Sequence, residues 1–511
     1  MTRRRGGRAP SPPRRLRLGA LFNALLLSAC HHSAPPTTLP TLPARSSVEQ
    51  LQDTIDAVLA SPALTRGTWG VAVQSLARGD TLYAHNSGKL MIPASTMKLV
   101  TLAAAAERLG WDYSYDTRVV AVGTIDRGLL DGELVVVGSG DPSLDDWDGA
   151  ATRTFESWVE RLKDAGVRAV SGQVVGDDNA FDDNALGTGW AWDDLAASYA
   201  TGVGALQFNE NTAQVTVAPG TTPGEPAIVS AAPLSASLTL RNLATTTGPE
   251  LPAAVSVRPV PHERAIEVRG AVPVSSGSVT RNVSVGNATA YFLGALQDAL
   301  AAGGIDVRGG VADIDDLPVP PRTAGGIALV LHQSPPLSTL ATTMMKLSQN
   351  LYAETLLRTL GGATSGVGSA QAGRAAVVEA LNAWNIPPDE VIQADGSGLS
   401  RYNMATPRAL VRVLAHVYDD DRLRAPFMDA LPVAGVDGTL AERTRGTPAA
   451  GNIRAKTGSL SNARAVAGYV TTADGEPLAF AILANHYGTP ATVVDEATDR
   501  ILVTLAQYSR R

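Results

Sequence analysis

A serine and a lysine three residues apart provide the first candidate for catalysis in this sequence. Ser95 and Lys98 frame the motif Ser-Thr-Met-Lys shortly after Pro93, and proline is favoured in the first turn of a helix. A spacing of three places both side chains on one face of a helix. A lysine normally titrates near pH ~10.4, but burial lowers its pKa. The pair could act as a nucleophile and its base, although a capping serine beside a solvated lysine has the same spacing.

A second motif, Lys456-Thr457-Gly458-Ser459, precedes an apolar run that is typical of a β-strand. An exposed strand edge can pair with an extended peptide, and a glycine in it lets the ligand backbone approach closely. Lysine and hydroxyl groups suit a substrate carboxylate, while main-chain N–H groups can hold an oxyanion. A simple turn that enters a hairpin would explain the same residues.

A third motif, Ser348-Gln349-Asn350, stands directly before a segment with helical periodicity at 351–360. Its hydroxyl and amide groups could relay a proton and orient the amine of Lys98. The alternative is that these residues only cap the helix.

Hydrophobic periodicity predicts the elements that must position these motifs. A central region at about 112–320 consists of short β-type runs separated by Gly, Asp and Pro, whereas both flanks contain helices and hairpins. In chain order, the flanking elements are a helix at 47–59, strands at 68–76 and 81–84, a helix at 93–109, helical segments after 337, strands at 463–471 and 477–485, and a helix at 491–508.

This order predicts an α/β fold in which one catalytic domain is interrupted by a large β-rich insertion that forms two smaller domains. The discontinuous catalytic domain comprises 47–111 and 321–511. The first inserted domain comprises 112–218 and 288–320, and the second, a small β domain, comprises 219–287.

Taken together and in this order, the three motifs resemble the active-site set of the penicillin-recognising serine DD-peptidases and β-lactamases. The long gap between Ser95 and Ser348 is similar to that of the D-alanyl-D-alanine carboxypeptidase/endopeptidase family, the low-molecular-mass class C penicillin-binding proteins (peptidase family S13). The resemblance extends over about 48–507. Further stretches that match this family are 92–99, 138–142, 176–178, 395–401 and 435–440.

The resemblance implies a role for each motif residue. Ser95 would be the acylated nucleophile and Lys98 its general base, and the main-chain N–H groups of Ser95 and Ser459 would form the oxyanion hole. Thr457 would meet the substrate carboxylate beside Gly458. The residues implied to complete the proton relay and fix the substrate are Ser348, Asn350 and Lys456.

Two further positions are implied to contact the peptide stem of the substrate. They are Asp177 in the insertion, for which Asp178 is a rival, and Arg401, which could instead only pin its own loop. The sequence departs from the family pattern at Gln349, where Asp or Asn is more usual, and at Ser461, where some relatives have glutamine. These departures leave the stem-peptide preference open.

The N-terminal sequence predicts that the protein is located in the cell envelope. Residues 1–29 combine seven arginines with a short apolar run, which is the layout of a bacterial secretory signal peptide. The run ends at Leu-Ser-Ala-Cys30, which resembles a lipobox; the alternative is an ordinary signal peptide with a chance cysteine. We expect Cys30 to carry a lipid anchor on the periplasmic side of a bacterial membrane, with 30–46 as a tether.

Composition excludes several other classes of protein. The formal charge is −7, and no basic stripe with interleaved aromatic residues is present, so nucleic acid is excluded as a partner. The single cysteine excludes an internal disulfide. The seven histidines lack metal-ligand spacing, and we expect neither a metal nor another cofactor.

The leading hypothesis is a serine DD-peptidase that cleaves the D-Ala-D-Ala bond of peptidoglycan stem peptides, and also peptide cross-links, with β-lactams as covalent inhibitors. A β-lactamase is an alternative, but we find no dedicated deacylating base in the sequence. A non-catalytic envelope protein that binds peptidoglycan is a second alternative, against which the three intact motifs count.

Overall fold

The two flanks of the chain meet in one antiparallel sheet. The computed structural model describes residues 46–145, 150–233, 235–260 and 263–511. Within them the helices are α1 Ser47–Leu59, α2 Met97–Leu109, α3 Ala150–Asp164, α4 Ala288–Ala302, α5 Leu337–Lys346, α6 Asn350–Ser365, α7 Ala370–Ala383, α8 Pro407–Asp419, α9 Asp421–Ala430 and α10 Ala491–Gln507.

The strands follow the same division into flanks and insertion. They are β1 Thr68–Ser75, β2 Thr81–His85, β3 Asp116–Asp126, β4 Leu129–Val137, β5 Ala169–Val170, β6 Val174–Asp177, β7 Thr212–Ala218, β8 Ile228–Ala232, β9 Thr239–Thr247, β10 Ala254–Pro259, β11 Ala265–Pro273, β12 Val279–Ser284, β13 Asp306–Val307, β14 Val311–Asp313, β15 Ile327–Gln333, β16 Val391–Ile392, β17 Met404–Ala405, β18 Arg454–Leu460, β19 Ala463–Thr471 and β20 Pro477–Asn485.

The main sheet has the order β18-β19-β20-β1-β2, so a strand from the start of the chain lies beside strands from its end. All its neighbours are antiparallel. Both faces of its central strands are buried, and such strands read as continuous apolar runs rather than alternating ones. Helices α1 and α10 cover one face. Helix α8 packs on the other, whose side chains share one hydrophobic core with α2, α5 and α6.

Helix α2 lies in the core of this α/β body. Residues 97–106 are all buried, and the alanines at 103–106 let neighbouring helices approach closely. A short 3₁₀ turn, Ala94–Thr96, precedes the helix. The sequence predicted a single helix from residue 93, so the difference is that the first turn, which contains Ser95, is tighter than an α-helix.

The insertion forms separate sheets. One has the order β13-β5-β4-β3-β15, with β6 and β14 alongside, and α3 and α4 contribute to its core. Two smaller sheets have the orders β10-β11-β9 and β12-β7-β8. Strand β15 lies within the predicted catalytic segment 321–511 but pairs with β3. Strand β7 lies within the predicted segment 112–218 but pairs with β8 and β12.

These strand pairings favour domain boundaries that differ from the predicted ones. A strand belongs to the domain with which it shares hydrogen bonds, and spacing along the chain does not reveal that partner. We therefore propose that the first inserted domain extends through β15 and that the small β domain begins with β7.

Several sequence predictions are confirmed at the level of elements. The helix predicted at 47–59 is α1, with a capping box between Ser46 and Glu49, and the hairpin predicted at 463–471 and 477–485 has those bounds. Among the described residues, no helix combines the length and apolar character needed to cross a bilayer. The predicted signal peptide, the tether up to residue 45 and Cys30 lie outside the described residues.

Candidate active site

The amine of Lys98 lies at the centre of the site. Its Nζ donates hydrogen bonds to Ser95 Oγ at 3.1 Å, to Asn350 Oδ1 at 2.6 Å and to the main-chain oxygen of Ser397 at 2.8 Å. The first two contacts bring together residues of two sequence motifs, one on the 3₁₀ turn before α2 and one at the start of α6. The third contact comes from the loop that precedes β17.

Burial changes the acid–base properties of this lysine. Lys98 is fully buried, and desolvation lowers its pKa from the ordinary value to about 7, against the opposing influence of Asp395 and Glu354. An amine with this pKa is neutral in a substantial fraction of molecules at neutral pH. It can therefore accept the proton of the Ser95 hydroxyl, which an ordinary lysine could not do.

A second buried lysine faces the same site from the main sheet. Lys456 Nζ donates to Ser348 Oγ at 2.9 Å and to the main-chain oxygen of Thr457 at 2.8 Å. Burial and the neighbouring Lys98 lower its pKa well below the ordinary value. The sequence placed this motif before a strand, whereas Lys456 to Ser459 are part of the edge strand β18 itself.

The backbone of Ser348 adopts a sparsely populated conformation. Its φ is +60°, in the left-handed region that non-glycine residues seldom occupy outside tight turns. Gln349 takes the N-cap position of α6, and its side chain accepts a hydrogen bond from Leu351 N. The capping role considered for this motif is thus performed by Gln349, and Ser348 is left to contact Lys456.

Strand β18 lies directly against the turn that contains Ser95. A Cβ placed on Gly458 would lie 2.7 Å from the main-chain oxygen of Pro93 and 3.0 Å from Ser95 N, so only glycine permits this approach. Thr457 Oγ1 donates to Thr439 Oγ1 at 2.6 Å. Ser459, which follows on the same strand, is exposed.

The loop at 395–401 borders the site next to Lys98, and a buried carboxylate stabilises the conformation of this loop. Asp395 is fully buried, and its Oδ1 accepts hydrogen bonds from Gly398 N and Asn403 Nδ2. Its Oδ2 accepts from Ser400 N and from Trp190 Nε1. These four hydrogen bonds hold the loop in the conformation that presents the Ser397 carbonyl to Lys98.

Two residues of the insertion contact this site, and no sequence motif predicts them. Trp190 Nε1 donates to Asp395 Oδ2 at 2.9 Å, and the carbonyl oxygen of Tyr199 accepts a hydrogen bond from Asn350 Nδ2 at 2.7 Å. These contacts join parts of the chain more than 100 residues apart, so spacing along the sequence gave no signal for them.

The two residues predicted to contact the peptide stem lie in different places. Asp177 ends β6, where its main-chain oxygen accepts from Gly138 N, and among the described residues no hydrogen bond joins it to the three motifs. Its rival Asp178 accepts a hydrogen bond from Thr289 of α4, and burial raises its pKa to about 6. Arg401 is exposed, and its Nη1 donates to the main-chain oxygen of Ser461 at 3.1 Å.

Comparison with known proteins places the chain in a family. The sequence model of the D-Ala-D-Ala carboxypeptidase 3 (S13) family matches residues 51–508. A D-alanyl-D-alanine carboxypeptidase of Actinomadura sp. is 35% identical over 523 residues, which cover 99% of this chain and 93% of that protein.

Solved structures agree with this assignment. Penicillin binding protein 4 of Haemophilus influenzae matches with a TM-score of 0.77 and 28% identity, over 90% of this chain and 99% of that one. The same protein complexed with a novel β-lactam matches with a TM-score of 0.73 and 27% identity, over 90% and 100%. The fold is therefore α/β of the DD-peptidase and β-lactamase type with additional domains, as predicted.

The chain belongs to the D-Ala-D-Ala carboxypeptidase 3 (S13) family of serine peptidases. It is an enzyme, a serine-type D-Ala-D-Ala carboxypeptidase, which confirms the activity that the motifs predicted.

Proposed function

We propose that this enzyme cleaves the D-Ala-D-Ala bond of peptidoglycan stem peptides through an acyl-enzyme on Ser95, with Lys98 as the general base. The observation that carries the proposal is the amine of Lys98, which is buried, bound to Ser95 Oγ at 3.1 Å and lowered in pKa to about 7. A serine hydroxyl is a weak nucleophile until an adjacent base accepts its proton.

In the acylation step, the neutral amine of Lys98 takes the proton of the Ser95 hydroxyl as Oγ bonds to the carbonyl carbon of the penultimate D-alanine. The oxygen of that carbonyl becomes negatively charged, and the N–H groups of Ser95 and Ser459 stabilise it. The bond to the terminal D-alanine then breaks. Its nitrogen leaves as an amine after it receives a proton.

We assign the delivery of that proton to the second lysine motif. Lys456 Nζ lies 2.9 Å from Ser348 Oγ, so the hydroxyl can pass a proton towards the leaving nitrogen while the lysine replaces it. Asn350 fixes the position of Lys98 through its Oδ1. Before deacylation, Lys98 passes the proton that it took from Ser95 to the deprotonated Lys456. Water then attacks the ester carbonyl while the neutral Lys98 accepts its proton, and that proton returns to Ser95 Oγ as the shortened stem peptide leaves.

The substrate would lie along the edge strand β18. An extended peptide can add to an unpaired strand edge through main-chain hydrogen bonds, and Gly458 keeps this edge close to Ser95. The hydroxyl of Thr457 and the amine of Lys456 are the groups that we expect to meet the terminal carboxylate. We retain Asp177 and Arg401 as proposed contacts of the peptide stem, of which Arg401 has the stronger support because it bonds to Ser461 beside β18.

The names of the relatives support the choice of substrate and inhibitor. The Actinomadura protein is named a D-alanyl-D-alanine carboxypeptidase, and the Haemophilus influenzae protein is a penicillin binding protein crystallised with a β-lactam. We propose that this enzyme also binds β-lactams, as a covalent adduct on Ser95, and that it opens D-alanine-containing peptide cross-links.

The substrate proposal is tested by comparing two turnovers of the purified enzyme. We expect release of D-alanine from a pentapeptide ending in D-Ala-D-Ala to be catalytic, whereas benzylpenicillin is consumed in about one equivalent before the enzyme stalls. Fast turnover of penicillin without D-alanine release would establish a β-lactamase instead, and binding of the peptide with neither reaction would establish a non-catalytic protein. A digest of purified peptidoglycan, resolved into dimers, monomers and free D-alanine, measures how much of the activity is endopeptidase and how much is carboxypeptidase.

We propose further that Cys30 carries a lipid and holds the enzyme on the periplasmic face of a bacterial membrane. The support is the sequence alone, namely the basic and apolar stretch at 1–29 and the position of the single cysteine at its end. In a bacterial host, the full chain should fractionate with membranes, and Cys30→Ser should release it in soluble form. Equal membrane association of both forms would contradict lipidation of Cys30.

A further inference from the structure

A buried glutamate lies behind the loop that binds Lys98, and the mechanism above gives it no role. Glu354 is on α6, one helical turn after Asn350, and is fully buried. Its Oε1 accepts a hydrogen bond from Ser397 N at 2.8 Å. The carbonyl oxygen of the same residue, Ser397, accepts from Lys98 Nζ at 2.8 Å. One residue of main chain therefore connects the carboxylate to the catalytic amine.

The loop packs too closely on its neighbours to serve as a flexible spacer. A Cβ on Gly396 would lie 2.5 Å from the main-chain oxygen of Ala353 on α6, and one on Gly398 would lie 1.9 Å from that of Ala94. Gly398 also has a φ of +87°, which favours glycine. The loop is thus held between α6 and the turn that contains Ser95.

Among the described residues, one carboxylate oxygen of Glu354 lacks a hydrogen-bond donor, unlike the two of Asp395. Both oxygens of the Asp395 carboxylate accept hydrogen bonds, from Gly398, Ser400, Asn403 and Trp190. By contrast, Glu354 Oε2 has no hydrogen-bond partner in the described part of the chain and lies 3.7 Å from Arg358 Nη1. Burial raises the pKa of Glu354, so that it titrates closer to the range in which Lys98 changes charge.

Other charged groups surround Glu354 and Lys98 and also act on their pKa values. Lys456 faces Lys98 from the main sheet, and the charge of Lys98 lowers the pKa of Lys456. Arg358, which is itself buried, is influenced by Asp182 of the insertion and by Arg374 of α7. Asp395 acts on Lys98 in the same direction as Glu354. Of these groups, Glu354 combines a hydrogen-bonded path to Lys98 with a carboxylate oxygen that lacks a hydrogen-bond donor.

We propose that Glu354 is a positioning residue for the reaction: it holds the main chain of Ser397 against Lys98 and, through its charge, sets the pH above which that amine accepts the proton of Ser95. The proposal rests on the role of Lys98 stated above. A negative charge nearby favours the protonated amine and offsets the desolvation that would otherwise lower the pKa of Lys98 further. The two groups then titrate as a coupled pair.

The variant Glu354→Gln tests this role because it keeps the hydrogen-bond acceptor for Ser397 N and removes the charge. We expect the titration midpoint of Lys98 to fall by about half a pH unit or more. The ratio of the acylation rate at pH 6 to that at pH 8 should rise about threefold, since more of the amine is neutral at the lower pH.

The scarcity of lysine allows the midpoint to be measured without any substrate. The chain has five lysines, at 89, 98, 163, 346 and 456, so a sample with ¹³C-labelled lysine side chains gives few NMR signals. A spectrum of Lys98→Arg identifies the signal of Lys98, and its shift with pH reports the charge of that one amine. The full chain is used throughout.

A matched control is Glu390→Gln. Glu390 is also a buried carboxylate of the α/β body, but it accepts hydrogen bonds from Thr406 Oγ1 and Arg408 Nε and should leave the Lys98 midpoint unchanged. If Glu354→Gln lowers activity without moving the midpoint, its role is only structural and the proposal is overturned.

A second measurement needs no variant at Glu354. In the wild type, coupling to a carboxylate that titrates in the same range should broaden the titration curve of Lys98 beyond that of a single site. A curve with single-site steepness would overturn the coupled titration of the two groups, whether or not Glu354→Gln folds. Neither result depends on acylation of Ser95, so a failure of the proposed function would be seen separately.

Discussion

Replacement of Ser95 by alanine is expected to abolish covalent labelling of the enzyme by a fluorescent penicillin. The hydroxyl of Ser95 lies 3.1 Å from Lys98 Nζ, and among the described residues it is the serine hydroxyl to which that amine is hydrogen-bonded. Alanine removes the atom that would form the ester but occupies less space, so the surrounding turn should keep its conformation. Hydrolysis of the D-Ala-D-Ala peptide should fall by about 10³-fold or more, as when other serine enzymes lose their nucleophile.

The labelling experiment has an internal control in Ser87→Ala. Ser87 lies in the same segment of the chain, where its main-chain oxygen accepts from Arg408 N, and its loss should leave the labelling at about one equivalent. Mass spectrometry of the labelled wild type should place the penicillin on the peptide that contains Ser95. Labelling that persists in Ser95→Ala at an unchanged melting temperature would refute the assignment of the nucleophile.

Elements of the α/β body could be predicted from the sequence because their signals are local. The apolar runs of β19 and β20 are separated by a turn that contains Gly475, whose φ of +88° suits glycine. Helix α1 has a serine at its N-cap and a glutamate three residues later. This pattern is a capping box, which predicts the start of a helix from residues within a single turn. Strand partners could not be predicted in the same way. Nothing in 327–333 reveals that β15 pairs with β3, some 200 residues earlier in the chain.

The same distinction applies to the site. The contact between Ser95 and Lys98 follows from a spacing of three, and Ser348 and Lys456 were found because each belongs to a short recognisable motif. Glu354 reads in the sequence as an ordinary helical glutamate, and only the packing of the 395–401 loop on α6 brings it close to Lys98. Tyr199 contributes through its main-chain oxygen, which carries no residue-specific signal at all.

The second large effect is expected from Lys98→Arg. Arginine keeps the positive charge and can still donate hydrogen bonds to Asn350 Oδ1, but it does not lose its proton in the accessible pH range. If Lys98 is the base, acylation by penicillin and hydrolysis of the peptide should both fall by about 10²- to 10⁴-fold, the usual contribution of general acid–base catalysis. If the lysine were needed only for its charge, the variant would retain most of its activity, and that result would contradict the mechanism.

The pH profile of the wild type tests the same assignment by a separate route. Since burial lowers the pKa of Lys98 to about 7, the amine is protonated and inactive below that value and neutral above it. The second-order rate constant for acylation should therefore rise with pH through about 7, and the residual rate of Lys98→Arg should lack this rise. Lys163→Arg is the matched control, because Lys163 pairs with Glu160 on α3 and should show the wild-type profile. An acylation rate that is flat between pH 6 and 8 would mean that Lys98 does not change charge in this range, and that result would contradict a base with a pKa of about 7.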